Sequence, residues 1–105
     1  MNYGEFSPAE TENKMRTIHK YPLAFGTDFN GKQKVSMPYG AKVVMVAVQS
    51  NVITVWAEHY IDNANEIADR EFYIFATGEE ITNKSITHCG SVMFSGFVFH
   101  VYQKI

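Results

Sequence analysis

The feature that most constrains the fold is a pair of apolar segments joined by a short polar turn. Residues 43–48 (Val-Val-Met-Val-Ala-Val) are almost continuously apolar, which is typical of a strand that is covered on both faces. Gln49-Ser50-Asn51 provides the turn, and residues 52–57 (Val-Ile-Thr-Val-Trp-Ala) return with β-branched and aromatic side chains. This arrangement predicts a β-hairpin.

The rest of the chain from Thr17 onward has the same character. Further β-prone segments at 17–21, 35–37, 70–77, 86–94 and 97–103 are separated by turns rich in Gly, Pro and Asn. Residues 24–32 read as a loop, and the polar residues 61–69 as a long hairpin connection with room for one helical turn. The chain is therefore predicted to be all-β, a compact antiparallel sandwich or barrel of six to seven strands.

Alternation within two of these segments predicts which side chains share a face. In the segment 70–77 one face carries Phe72, Ile74 and Ala76, and the other carries Tyr73, Phe75 and Thr77. In the last segment Phe97, Phe99 and Val101 alternate with Val98, His100 and Tyr102. So many aromatic strand residues exceed what one small core can hide, so we expect a homo-oligomer in which a second subunit covers one face.

Residues 1–16 differ from the remainder because they are polar and offer little to a core. Ser7 is suited to cap a helix, with Pro8 at its first position and Glu10 closing a capping box. A short N-terminal helix and a disordered arm both remain open, because so short a helix is marginal alone. We therefore divide the chain into an arm, 1–16, and a single β domain, 17–105.

Composition excludes several classes of function. The net charge of -2 argues against a protein that binds long nucleic acids, which needs a strongly basic surface. No apolar run approaches the ~20 residues of a membrane span, and the acidic N-terminus does not resemble a signal peptide. Cys89 is the single cysteine of the chain, which excludes an internal disulfide. We expect a soluble cytoplasmic protein.

Signatures of catalysis are weak in this sequence. The four histidines, His19, His59, His88 and His100, lack the spacing of a zinc protease, and hydrogen-bonded or surface imidazoles are the simpler interpretation. Cys89 lies within a strand, away from any helix N-terminus that would stabilise a thiolate. Neither a nucleophile elbow nor a phosphate-binding Gly-rich loop is present. The sequence thus predicts no catalytic residue, no metal and no cofactor; a histidine-based metal hydrolase is the least favoured alternative.

Binding of a small ligand is better supported. Trp56 on a strand, and Tyr21 beside Lys20, would provide rings and a cation for stacking on a base. The planar fork of Arg70 would grip a phosphate, and Thr77 at a strand end offers a hydroxyl to an anion. Two simpler interpretations stay open: Trp56 as a core residue, and Arg70 in a surface ion pair with a neighbouring carboxylate.

Several segments together resemble a family of small proteins encoded by phages and prophages. The segments are Thr17–Leu23 (TIHKYPL), residues 37–41 (MPYGA), 55–57 (VWA), 70–72 (REF), 75–78 (FATG) and 98–102 (VFHVY). Two departures are the Glu79 that follows Thr-Gly, where members often carry His, and the additional residues 1–16. The resemblance implies action in the cytoplasm of an infected bacterium, where small oligomeric phage proteins include sponges that sequester immune nucleotide signals without cleaving them.

The first hypothesis is therefore a homo-oligomeric anti-defence sponge that holds a cyclic-nucleotide second messenger between subunits, with no membrane or long nucleic acid as partner. Its ligand-binding residues would be Trp56 and Tyr21 for the bases, Lys20 and Arg70 for the phosphates, and Thr77 and His100 as hydrogen-bonding groups. The alternative is a protein–protein module that inhibits a host defence or replication protein through an exposed aromatic face.

Overall fold

The computed structural model describes residues 14–23, 31–83 and 85–105, and within them it contains seven β-strands. The strands are β1 (Arg16–Pro22), β2 (Lys32–Pro38), β3 (Lys42–Gln49), β4 (Val52–Tyr60), β5 (Ile67–Ala76), β6 (Ile86–Phe94) and β7 (Phe97–Lys104). A 3₁₀ turn over Ile61–Asn63 follows β4. The predicted all-β class with six to seven strands is confirmed. The described residues contain no helix that is long and apolar enough to cross a membrane.

The strands form two antiparallel sheets. Sheet I has the order β1-β4-β3, and sheet II has the order β2-β5-β7-β6. The β3–β4 hairpin turns at Ser50 and Asn51, whose φ angles are 52° and 63°. Positive φ at both central residues suits the right-handed twist of the flanking strands. The β6–β7 hairpin turns in the same way at Ser95 and Gly96, with φ angles of 53° and 83°. Both hairpins were predicted from the sequence.

The core lies between the inner faces of the two sheets. Ile53, Val55 and Ala57 of β4 are buried, as is Thr54 between the first two, and Phe72 and Ile74 of β5 are buried in alternation with less buried neighbours. The buried apolar side chains are Leu23, Met37, Ala41, Ile53, Val55, Ala57, Phe72, Ile74, Val92 and Val101. The predicted alternation is therefore confirmed in β5, where Phe72 and Ile74 point inward. Tyr73, Phe75 and Thr77 belong to the outer face of sheet II.

The two sheets approach each other most closely where β3 meets β6. A Cβ atom added at Gly90 would meet Val46 Cγ2 at 3.0 Å, so the backbone of β6 lies directly against a β3 side chain. Each of these strands also contains an irregularity in its pairing, between Val43 and Met45 in β3 and between His88 and Gly90 in β6. Such bulges bend a strand and change which side chains face outward beyond them.

Several expected boundaries differ from the structure. The connection between β4 and β5 is shorter than 61–69, because β5 already begins at Ile67, and it passes from sheet I to sheet II instead of closing a hairpin. It does contain the expected helical turn. The prolines that were expected to stop strands, Pro22 and Pro38, are the last residues of β1 and β2. Both strands end the order of their sheets, where a missing N–H is tolerated.

The predicted N-terminal helix or arm lies largely outside the described residues. Of the arm 1–16, the structure describes Lys14, Met15 and Arg16, and Arg16 is already the first residue of β1. The backbone carbonyl of Met15 accepts a hydrogen bond from the N–H of Ile61 at 2.9 Å, which joins this segment to the end of β4. Of the predicted loop 24–32, residues 24–30 are not described, and Lys32 belongs to β2.

Candidate ligand-binding face

The outer face of sheet II carries a cluster of hydroxyl, imidazole and aromatic side chains, which we call the sheet II face. Pairing of β5 with β7 sets Tyr73 opposite Tyr102 and Phe75 opposite His100. Pairing of β6 with β7 sets His88 opposite Tyr102 and Ser91 opposite His100. Together with Thr77, these side chains form one continuous surface, and each is half-buried or exposed: Tyr73, Phe75, Thr77, His88, Ser91, His100 and Tyr102.

A chain of hydrogen bonds crosses this face. Nε2 of His100 lies 2.8 Å from the hydroxyl of Thr77, and Nδ1 of the same ring lies 2.7 Å from the hydroxyl of Ser91. The Ser91 hydroxyl also lies 3.0 Å from Nε2 of His88. Both nitrogens of His100 are therefore engaged by hydroxyl groups, which fixes the orientation of its ring.

The Val98 carbonyl, at one end of this chain of hydrogen bonds, indicates which group donates and which accepts at each step. The Thr77 hydroxyl lies 3.3 Å from the backbone carbonyl of Val98. A carbonyl oxygen can only accept, so the Thr77 hydroxyl donates its proton there and accepts from Nε2–H of His100. Nδ1 of a neutral His100 then accepts the Ser91 hydroxyl proton, and the Ser91 oxygen accepts from Nε2–H of His88. This order leaves Nδ1 of a neutral His88 as a hydrogen-bond acceptor for a ligand.

A bulge at Cys89 brings Ser91 to this face. With plain alternation, residues 88, 90 and 92 would share one side of β6. The register instead shifts between His88 and Gly90, so that Ser91 becomes the residue on the side of His88 and Val92 turns into the core. The extra residue is Cys89 itself. If residues 88–92 paired without this bulge, the Ser91 hydroxyl would point away from both imidazoles.

Aromatic rings extend the cluster toward the middle of the sheet. The rings of His88 and Tyr102 are 5.1 Å apart, and those of Phe75 and Tyr102 are 5.6 Å apart in an edge-to-face arrangement. Tyr73 and Phe75 are nearly parallel, with an interplanar angle of 9° and centroids 6.5 Å apart. Edge-to-face and offset contacts of this kind stabilise aromatic clusters. They hold the rings as a platform on the surface of the sheet.

A charged rim flanks the Tyr73 end of the face. The hydroxyl of Tyr73 donates a hydrogen bond to Glu71 at 2.8 Å. This bond lowers the pKa of the Glu71 carboxyl, assisted by the charges of Lys32, Lys104 and Lys34, and it raises the pKa of Tyr73. The Lys32 ammonium lies 4.0 Å from Glu71. Three lysines around one carboxylate leave this rim net positive.

Two of the predicted ligand-binding residues, Thr77 and His100, are brought into direct contact here. Thr77 is the first residue after β5, which ends one position before the predicted strand end, and His100 faces outward with Tyr102, as the alternation in the last strand predicted. The hydroxyl of Thr77 is occupied by His100 and by the Val98 carbonyl. In the described structure Thr77 therefore acts through the orientation of an imidazole.

Two further predicted residues, Lys20 and Trp56, meet on the outer face of the other sheet. They are Cα partners in the β1–β4 pairing, and Trp56 is half-buried. The Lys20 ammonium donates a hydrogen bond to Gln49 Oε1 at 2.6 Å. Since β4 separates β1 from β3, the Lys20 side chain crosses the sheet surface. Lys20 and Trp56 are thus neighbours on a different sheet from Thr77 and His100.

The last two predicted residues lie on inner faces. Tyr21 pairs with Val55 and packs partly against the core, and burial raises the pKa of its hydroxyl. Adjacent residues of a strand point to opposite faces, so Tyr21 and Lys20 do not share a surface within one subunit. Arg70 lies at one end of the space between the sheets, where it donates hydrogen bonds to Gln103 and to the Ala41 carbonyl. Its expected ion pair with Asp69 or Glu71 is not formed.

Sequence reasoning missed the larger part of the sheet II face. Tyr73, Phe75 and Tyr102 were assigned to the correct strand faces but not to a site, and His88 and Ser91 were not connected with His100. The alternation in β5 and β7 contained the signal for the aromatic residues. Ser91 could not be found in this way, because its placement depends on the bulge.

The remaining candidates for chemistry are not activated. Cys89 is half-buried, and burial raises the pKa of its thiol to about 11 against the opposing effect of the Arg70 charge. His59 is buried, its Nδ1 has no hydrogen-bond partner among the described residues, and the ring of His19 packs edge-on against it at 5.0 Å. Within the described ranges no His, Cys, Asp and Glu side chains group as metal ligands.

Fold and face together define a small two-sheet β protein with a polar, aromatic surface on its four-stranded sheet. The chain belongs to the family called domain of unknown function DUF7352, whose model matches residues 15–105. No curated protein and no solved structure matches the chain.

Proposed function

We propose that this protein binds a small nucleotide on the sheet II face. One observation supports the proposal above all: the chain His88–Ser91–His100–Thr77 lies beside the rings of Phe75 and Tyr102 on the solvent side of a four-stranded antiparallel sheet. Sheets of this kind that present aromatic residues bind unpaired bases in other proteins. The resemblance is one of surface chemistry, not of topology.

Each part of the face matches one part of such a ligand. Stacking of a base on an aromatic ring contributes ~1–3 kcal/mol. The acceptor at Nδ1 of His88 would receive an exocyclic amino group, which adenine, guanine and cytosine carry. Phosphates would lie toward the lysine rim around Glu71, where Lys32, Lys34 and Lys104 provide the positive charge.

The resemblance to phage proteins extends the proposal to a biological role. In this role the protein is phage-encoded, acts in the host cytoplasm, and sequesters a cyclic-nucleotide immune signal without cleaving it. A second subunit placed over the sheet II face would enclose the ligand between two aromatic platforms. Sequestration requires a surface that holds the ligand and no nucleophile.

Calorimetry with a panel of cyclic di- and trinucleotides and of mononucleotides tests binding. At least one ligand should bind. Tyr102→Ala should weaken binding at least about tenfold through the loss of one stacked ring, and His88→Ala should weaken it up to about tenfold through the loss of one hydrogen bond. Trp56→Phe, on the other sheet, should leave binding unchanged. Recovery of the intact ligand after incubation separates sequestration from hydrolysis. Absence of heat with every nucleotide contradicts the proposal.

A second function, inhibition of a host protein, is favoured by the outer face of sheet I. Ile18 and Met45 are 53% and 48% exposed there, beside half-buried Trp56. Such a patch is the kind of surface that a protein partner covers. Affinity purification from bacterial lysate should then recover a stoichiometric protein that is lost in the Ile18→Lys variant and retained in Tyr102→Ala.

A further inference from the structure

Two neutral groups hold the guanidinium of Arg70 in place. Its Nη1 donates to Gln103 Oε1 at 2.8 Å, and its Nη2 donates to the Ala41 carbonyl at 3.0 Å. These partners come from β7 of sheet II and from the turn before β3 of sheet I, so the side chain spans the end of the sandwich. Both acceptors are neutral.

The ion pairs of the described ranges lie elsewhere. They join Arg16 to Glu58 and Lys32 to Glu71, and no carboxylate among residues 14–23, 31–83 and 85–105 lies within 4.0 Å of Arg70. A half-buried cation without a counter-charge is costly, because low-polarity surroundings solvate it poorly. A guanidinium has five N–H donors, and two hydrogen bonds leave donors for a ligand.

Arg70 also lines a cavity of about 340 Å³. The other lining residues come from the end of β2, the turn after it and the start of β5: Met37, Pro38, Tyr39, Gly40, Ala68 and Asp69. Its volume lies at the small end of the range for ligand pockets. Tyr39 is 68% exposed, so its ring is accessible to a ligand at the cavity mouth.

We propose that this cavity binds a small organic anion, with a carboxylate or phosphate against Arg70 and an apolar body against Pro38 and Tyr39. A guanidinium held by two neutral acceptors is ordered before the ligand arrives, so binding does not have to order it. Its planar fork matches an oxyanion with two oxygens in one plane. This site is separate from the sheet II face and does not depend on nucleotide binding there.

Asp69 limits the charge that the ligand carries. Asp69 lines the same cavity, next to Arg70 in β5, and its carboxylate accepts a hydrogen bond from the Ser36 hydroxyl at 3.0 Å. It therefore opposes a highly charged polyphosphate and favours a ligand with a single anionic group. The two charges also provide a matched pair of test positions, one whose removal weakens binding and one whose removal strengthens it.

NMR titration of the full-length chain with benzoate and with phenyl phosphate tests the site, and benzyl alcohol serves as the uncharged control. Backbone amide signals of Tyr39, Gly40 and Ala68 should shift saturably with at least one anion and not with benzyl alcohol. Comparison of the two anions separates a carboxylate site from a phosphate site. No saturable shift with either anion overturns the proposal.

Three variants assign the effect to the cavity. Arg70→Gln should weaken anion binding at least about tenfold, as expected for loss of a charged hydrogen-bond donor. Asp69→Asn keeps an oxygen for Ser36 and should strengthen binding about two- to fivefold by removing a nearby negative charge. Arg16→Gln, outside this cavity, should change nothing. If Arg70→Gln does not fold, the Asp69→Asn result decides: unchanged or weaker binding contradicts the proposal.

Discussion

Ser91 Oγ lies 2.7 Å from Nδ1 of His100, and the Thr77 hydroxyl lies 2.8 Å from Nε2 of the same ring. With the Thr77 hydroxyl donating to the Val98 carbonyl, it accepts from the ring, and this order of bonds assigns the proton of a neutral His100 to Nε2. The tautomer of His100 is thus set by the Val98 carbonyl, which is connected to the ring through the Thr77 hydroxyl.

This assignment can be measured directly. Nitrogen-15 NMR of the histidine rings at a pH where they are neutral should show His100 protonated at Nε2. Ser91→Ala should keep this tautomer, because Thr77 still accepts from Nε2–H, whereas Thr77→Val should lose the preference. A His100 ring protonated at Nδ1 in the unaltered protein would show that the hydrogen-bond chain runs in the opposite direction.

Replacing Tyr73→Phe should raise the pKa of Glu71 toward its ordinary value. The hydroxyl of Tyr73 is the largest cause of the lowered pKa. A carboxyl whose pKa is lowered on folding stabilises the fold above its ordinary pKa, and this contribution is lost as the pH falls through the lowered value. Tyr73→Phe should therefore lose more stability at neutral pH than in acid. Carbon-13 titration of the Glu71 carboxyl checks the shift.

Tyr102→Phe is the control for that experiment, since the Tyr102 hydroxyl makes no hydrogen bond to Glu71. It should leave the Glu71 titration where it was. An unchanged Glu71 titration in Tyr73→Phe as well would mean that the lysine rim alone lowers the pKa.

Gly90→Ala should destabilise the protein by about 1–3 kcal/mol, because its added methyl group overpacks the contact between β6 and β3. The new Cβ would meet Val46 Cγ2 at 3.0 Å and Val46 Cβ at 3.1 Å. Val46→Ala removes the first of these atoms. The double variant should therefore lose less stability than the sum of the two single changes, by urea unfolding of all four proteins. If the stability losses of the two single variants add strictly, then β6 and β3 lie further apart than described.

Gly31→Ala should destabilise the protein, and shortening a neighbouring side chain should not restore the stability, because the added methyl group meets backbone atoms. Gly31 has a φ of 65°, and an added Cβ would lie 2.5 Å from the backbone oxygen of Ile74. The N–H of Ile74 donates to the Gly31 carbonyl at 3.2 Å, so a shift of either segment also breaks this bond. Urea unfolding should show a loss larger than that of Gly90→Ala; a smaller loss contradicts this close approach.

The thiol of Cys89 should react slowly with iodoacetamide at pH 8 and faster as the pH approaches about 11, its pKa in the folded protein. Burial disfavours the thiolate more than the charge of Arg70 favours it. The chain unfolded in urea is the control, and it should react faster at pH 8. Equal rates for the folded and unfolded chains would show that the thiol is neither shielded nor shifted.

The sequence was sufficient for those parts of the fold that depend on local pattern. The β3–β4 hairpin followed from two apolar segments around a two-residue turn, and the outward placement of Phe75 and His100 followed from alternation. The passage from β4 to β5 was not predictable from polar residues 61–66, because whether a connection closes a hairpin or changes sheets depends on packing at a distance. The strand pairing of Lys20 with Trp56 is likewise a tertiary property.

The candidate site was less predictable for the same physical reason. Adjacent residues of a strand face opposite ways, so the pairing of Lys20 with Tyr21 in one site was open to question from the sequence alone. Arg70 was expected in a surface ion pair with Asp69 or Glu71, yet it turns between the sheets to Gln103 and Ala41. The sequence suggests adjacent residues as partners, whereas the contacts of a side chain depend on the register of the strands.

The extra residue in β6 decides which side chains this strand offers to a ligand. Two strand residues three positions apart ordinarily face opposite ways, yet the bulge places the serine on the same surface as the first imidazole. A β6 strand that paired residue by residue from that histidine would offer Gly90 and Val92 instead, and the serine would face the interior. The chemistry of this surface thus depends on where the strand interrupts its ladder, and not only on which residues the strand carries.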